Sequence, residues 1–159
     1  MVLFAILGAM TFAAKYVMSF LPNIEPVSLM VMLFAVVFGW KWVYPVYLYV
    51  LMEVLFYGIS LWNINYLYIW AVLAVAAIFL RNMQHPLAWA LLSGVFGLLF
   101  GARCGIVDIV IGGFGYAAAK WVSGIPFDIT HCAGNFVIAL LLFKPLRRLL
   151  EGQYAKMGK

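Results

Sequence analysis

The unbroken character of its apolar runs constrains this chain more than any motif does. "VSLMVMLFAVVFGW" (27–40), "WAVLAVAAIFL" (70–80) and "NFVIALLLF" (135–143) carry no charge and no alternation of polar with apolar positions. In hydrocarbon every backbone N–H and C=O must find its partner within the protein, so a spanning segment is a helix or part of a closed barrel, and barrel strands alternate their faces. Continuous runs therefore predict helices. Of the 159 residues, 68% are hydrophobic and 9% charged, with a mean hydropathy of +1.10, more apolar surface than a small soluble fold can cover. The reading is an all-α integral membrane protein, one membrane domain over 1–159.

Turn and charge punctuation divides the chain into six predicted transmembrane helices at about 2–21, 27–42, 43–60, 65–80, 86–111 and 127–143. The second is short for a full crossing at about 1.5 Å per residue, and its boundary with the third is the least marked. Met1 to Ala14 lacks the basic leader of a signal peptide and reads as a retained helix.

Orientation follows from lysine and arginine. With the N-terminus cytoplasmic, Lys41, Arg81, Lys144, Arg147, Arg148, Lys156 and Lys159 gather inside and Lys120 alone falls outside, so both termini are expected in the cytoplasm. The net charge of +5 then reflects loops facing anionic lipid and not nucleic acid. "FLPNIEPVSL" (20–29), the turn "LWNINY" (61–66) and a loop expected over 111–127 share the outer side.

Ionisable groups inside a bilayer are costly and normally face a cavity or a partner group. Lys15, Glu53, Arg103, Asp108, Asp128 and His131 all fall near the middle or in the outer half, and Asp128, His131 and Asn135 share one helical stripe. Two readings compete. In one, the groups pair with each other, Lys15 with Glu53 and Arg103 with Asp108, and glue helices together. In the other, they line an outward pocket walled by Tyr57, Trp62, Tyr66, Trp70 and Trp121, suited to a flat heterocycle that stacks on rings and is identified by hydrogen bonds. An excess of acids favours a neutral or cationic ligand, although Lys15 and Arg103 offer a place for a carboxylate.

Small residues recur every four positions in two stripes, Ala5, Ala9 and Ala13 on the first helix and Gly97, Gly101 and Gly105 on the fifth; each permits close helix approach, and the alanine stripe points to a partner. Cys104 and Cys132 lack metal-ligand spacing and read as core thiols. No nucleotide-binding loop, zinc-protease or hydrolase motif occurs, which argues against an enzyme and against a self-powered pump, and no cofactor or metal is implied.

The alanine stripe together with "FLPNIEPVSL", "FGWKWVYPVYLYVLMEVLFYGISLWNINYLYIW" and "GIPFDITHCAGNFVIALLLFKPL" resembles the substrate-binding S components of energy-coupling factor (ECF) vitamin transporters, over nearly the whole chain. The resemblance implies a bacterial plasma-membrane protein, chiefly of Gram-positive bacteria, that captures a vitamin or related micronutrient from outside. It then docks through Ala5, Ala9 and Ala13 on a transmembrane coupling subunit driven by two ATPases. ATP hydrolysis would occur on those partners. Family binding sites at the outer ends of the later helices map onto Asn23, Glu25, Trp62, Asn63, Asn65, Tyr66, Asp108, Trp121, Asp128, His131 and Asn135; the ionisable-residue argument adds Glu53. The alternatives are a membrane assembly subunit that binds no small molecule and a stand-alone permease, which would need a polar path to the cytoplasmic side.

Overall fold

The computed structural model describes residues 1–157, so Lys159 lies outside the described residues. They form α1 (Val2–Val17), α2 (Val27–Phe38), α3 (Val43–Tyr57), α4 (Leu61–Phe79), α5 (Pro86–Leu98) and α6 (Phe100–Met157), with no strand among them. Three stretches, Val27–Tyr57, Leu61–Phe79 and Pro86–Lys156, are long and apolar enough to cross a membrane, and Val2–Val17 is a shorter apolar helix.

Local chemistry sets the boundaries and corrects several expected ones. The first helix ends at Val17 and not near 21, because Pro22 lacks an N–H and disfavours helical geometry in the residue before it; the chain unwinds through short turns to Asn23, at φ 60. A 3₁₀ turn at Gly39–Trp42, entered through Gly39 at φ 57, joins α2 to α3. The third helix stops at Tyr57 and not at 60, since Gly58 sits at φ 83, a left-handed conformation that favours glycine. The fourth begins at Leu61 and not at 65: Asn63 Oδ1 accepts the Ser60 backbone N–H at 2.6 Å and secures an earlier start.

The largest correction concerns the last third of the chain. The loop expected over 111–127 is helical, and the final helix runs far beyond 127–143 in both directions. Gly113, at φ 78 and ψ 177, is the one non-helical residue within Phe100–Met157 and divides α6 into arms 100–112 and 114–157. The alanines at 117–119 favour helix as soon as the bend is passed. The arms fold back on each other, Asp108 pairing with Lys120 and Gly101 meeting Asp128, and α5 continues the packing along the second arm, where Gly97 meets His131 and Trp89 stacks on Phe143. The expected helix over 86–111 is likewise interrupted, at Leu99 between α5 and α6. Arg103 Nη1 donates to the Phe96 carbonyl beside this break, at 2.7 Å, and its guanidinium lies over the Phe96 ring.

The two small-residue stripes have opposite fates. A Cβ on Gly97 would lie 2.8 Å from the His131 backbone and one on Gly101 2.7 Å from Asp128 Oδ2, so these glycines set how closely the hairpin packs, while Gly105 has open space. On α1, Leu7, Gly8, Thr11 and Phe12 are buried, Gly8 against the Pro45 carbonyl, which turns Ala5 and Ala13 to the exposed side with Ala9 half-buried between them.

The core centres on α2, whose Val27, Val31, Met32, Leu33, Phe34 and Ala35 are buried between α4 and α6. At one end the bundle is closed by aromatic packing: Phe38 on Tyr154 with ring centroids 4.9 Å apart, and Trp89 on Phe143 at 4.3 Å. Lys41 reaches Tyr154 at this same end. At the other end the helices diverge.

Candidate functional site

A cavity of about 690 Å³ opens between the diverging ends of the helices. One wall comes from α1, α3 and α4. Lys15 Nζ lies 2.6 Å from Glu53 Oε2 and 3.3 Å from the Tyr66 hydroxyl, over the faces of Tyr49, Tyr57 and Tyr66. Lysine can sit here because its stem is covered while its ammonium meets a carboxylate, a hydroxyl and three ring faces.

The opposite wall comes from the arms of α6. Asp128 Oδ1 accepts the Gly101 backbone N–H at 3.0 Å, in the first turn of α6, where helical N–H groups have no intrahelical acceptor. The absent side chain at Gly101 leaves room for that carboxylate. His131, three residues on and one turn along the same face, packs on Phe100 with ring centroids 4.9 Å apart. Asp108 accepts from Lys120 at 2.6 Å across the hairpin.

Glu25 enters the lining from the 18–26 loop, on the side of Lys15 and Glu53, with no ion-pair partner among the described residues. Burial pushes its carboxyl above the ordinary 4.5; Lys15 opposes that shift and Glu53 adds to it.

Of the residues read from the sequence as a site, Asn23, Glu25, Glu53, Trp62, Asn63, Tyr66, Asp108, Trp121, Asp128 and His131 line this cavity. Asn65 and Asn135 do not. Asn65 points the other way on α4, where its Oδ1 accepts from Tyr68. Asn135 lies one helical turn deeper than His131 and donates to Ser28 Oγ at 3.0 Å and towards the Ser93 carbonyl at 3.4 Å, tying α6 to α2 and α5. Trp70, expected in the aromatic wall, is fully buried in the core. The expected Lys15–Glu53 pair is present, but Arg103 does not pair with Asp108, because the Phe96 carbonyl holds its guanidinium and Lys120 takes the carboxylate. Lys120, Gly101 and Phe100 belong to the lining without having been singled out for it. The fold-back at Gly113 brings them there, and a lone glycine among fourteen carries no such signal.

Buried side-chain atoms without a hydrogen-bond partner sort cleanly by place. The neutral ones, Trp42 Nε1, Tyr49 OH, Trp70 Nε1, Ser93 Oγ and Asn135 Oδ1, belong to residues of the packed interior. The carboxylate and imidazole ones, Glu53 Oε1, Asp128 Oδ2 and His131 Nε2, all belong to residues lining the cavity. A buried group of this kind without a partner is expensive, and its concentration around one space is what a binding site requires.

Comparison with protein-family models, curated proteins and solved structures finds no match to this chain.

Proposed function

We propose that the protein captures a small molecule in this cavity, as the substrate-binding subunit of an ECF-type vitamin transporter in a bacterial plasma membrane. In this reading the chain makes six passes: α1, α2 with its 3₁₀ turn, α3, α4, α5 with the first arm of α6, and the second arm, with both termini cytoplasmic. The carrying observation is the convergence of Glu53, Asp128 and His131, each with an unpartnered buried atom, on a cavity of about 690 Å³, within the size range of small-molecule sites.

Two features support the wider reading. The end opposite the cavity is packed with Trp42, Trp89 and Phe143, all buried, which suits a one-sided pocket better than a pore. The alanine stripe on α1 is directed away from the bundle, where a helix of a coupling subunit can approach to backbone distance and gain its attraction from packing. ATPase partners would supply the energy.

The purified chain should unfold at a higher temperature with one member of a panel of vitamins and their precursors. No shift across the panel, and no ligand carried through purification, would move the assignment to an assembly subunit. For docking, Ala9→Trp should abolish uptake by cells that express the whole transporter while leaving ligand binding by the isolated chain intact; unchanged uptake at normal expression would remove the docking role.

A further inference from the structure

The charge around the cavity is lopsided in a way that specifies its occupant. Four carboxylates line it, those of Glu25, Glu53, Asp108 and Asp128, against two lysines. Both lysines are already committed: Lys15 to Glu53 and Lys120 to Asp108, each at 2.6 Å. Arg103 is turned into the Phe96 carbonyl and does not line the cavity; its charge reaches Asp128 and His131 from behind the wall and still leaves four carboxylates against three cations. An entering anion therefore finds no uncommitted lysine or arginine in the lining and meets carboxylates in a region of low dielectric, where like charges repel strongly.

The unsatisfied capacity is that of acceptors. Glu53 and Asp128 are 4% and 6% exposed, and each has one oxygen bonded, to Lys15 and to the Gly101 N–H, and one outside hydrogen-bond geometry, with the Trp121 side chain close to the Asp128 carboxylate. The torsion that orients a carboxylate is soft, so each group can present its free oxygen to the cavity at little cost. His131 Nε2 adds a third unpartnered site able to accept a hydrogen bond when the ring is neutral. Trp62, Trp121 and Tyr57 supply aromatic surface in the same lining.

We infer that the ligand is an aromatic cation that offers N–H donors, of the amidinium or amino-heterocycle class, held by the carboxylates of Glu53 and Asp128, and that carboxylate and phosphate ligands are rejected. This deepens the capture reading above and rests on it. A planar N–H fork matches a carboxylate in two parallel hydrogen bonds, and its charge offsets the excess of carboxylates over cations in the lining.

Three probes of one shape and three charges test the inference: benzamidine, benzamide and benzoate, titrated into the full-length chain in detergent and followed by tryptophan fluorescence, since Trp62 and Trp121 line the cavity. Benzamidine should bind saturably and at least about tenfold more tightly than benzoate, the scale of a charge-assisted hydrogen bond. Asp128→Asn, which keeps an acceptor for the Gly101 N–H, and Glu53→Gln should each weaken benzamidine by about tenfold and narrow its lead over benzamide. Benzoate or benzamide binding as tightly as benzamidine overturns the charge inference and leaves small-molecule capture standing. Binding of none of the three, up to their solubility limits, overturns the charge inference, and the vitamin panel above then decides separately whether capture stands. Should either variant misfold, the order of the three probes on the unaltered chain still decides.

Discussion

The two ends of the helical bundle are built from the same helices and obey different rules. At the closed end, Phe38, Trp42, Trp89 and Phe143 are buried, Trp89 stacked on Phe143 and Phe38 edge-on to Tyr154 of α6. At the open end the same helices surround four acids, two lysines and a histidine, and one oxygen each of Glu53 and Asp128 and the Nε2 of His131 are left without partners. In the capture reading, stability and binding are thus segregated along the bundle axis. Substitutions at the closed end should act on unfolding and those at the open end on ligands.

The sharpest way to break this comparison is at Trp89, 1% exposed and stacked on Phe143. Trp89→Ala should cost roughly 3–5 kcal/mol, read as a large fall in thermal midpoint in detergent, since both the ring contacts and the Nε1 bond to the Met83 carbonyl are lost. Little change would mean that the closed end is not what holds the bundle. Next in size is Gly101→Val, which places a branched side chain against Asp128 and should cost about 1–3 kcal/mol while reducing ligand affinity. It is the one site where both properties should fail together, because the glycine forms both the hairpin packing and the cavity wall.

A smaller effect separates the ends by pH. The raised Glu25 carboxyl means that the folded protein holds this proton more tightly than the unfolded chain, so its stabilising contribution is present below the ordinary 4.5 and is lost as pH rises through the raised value. Glu25→Gln should therefore match the unaltered protein at low pH and unfold at a higher temperature than it does near neutrality, when no ligand is present. Identical pH profiles would show that Glu25 is not held at the cavity, and would return the Pro22–Pro26 stretch to a plain turn.

How much of this was legible in the sequence depends on the range of the signal. Helices follow from continuous apolar runs, and the place of Glu53 follows from its distance to the turn after α3; the expected place of Asp128 and His131 rests on a loop over 111–127 that is helical, so their meeting with Glu53 does not follow from that turn. What stayed hidden needed the hairpin. Pairing Asp108 with Lys120 requires the fold-back at Gly113, and without it Arg103 is the nearer partner in sequence. Asn135 shares a stripe with Asp128 and His131, yet lies beyond the cavity floor, because helical spacing fixes direction and says nothing of depth. The two small-residue stripes are indistinguishable by spacing; only the packing of Gly8 on Pro45, and of Gly97 and Gly101 on the second arm of α6, turns one outward and the other inward.

Native mass spectrometry of the 159-residue chain, purified from cells grown in rich medium, tests the central claim most directly. The account predicts a stoichiometric small-molecule adduct on the unaltered protein, carried at greatly reduced occupancy by folded Asp128→Asn and retained by Ala9→Trp. A bare protein mass throughout, with no adduct restored by incubation with a vitamin panel, would contradict it.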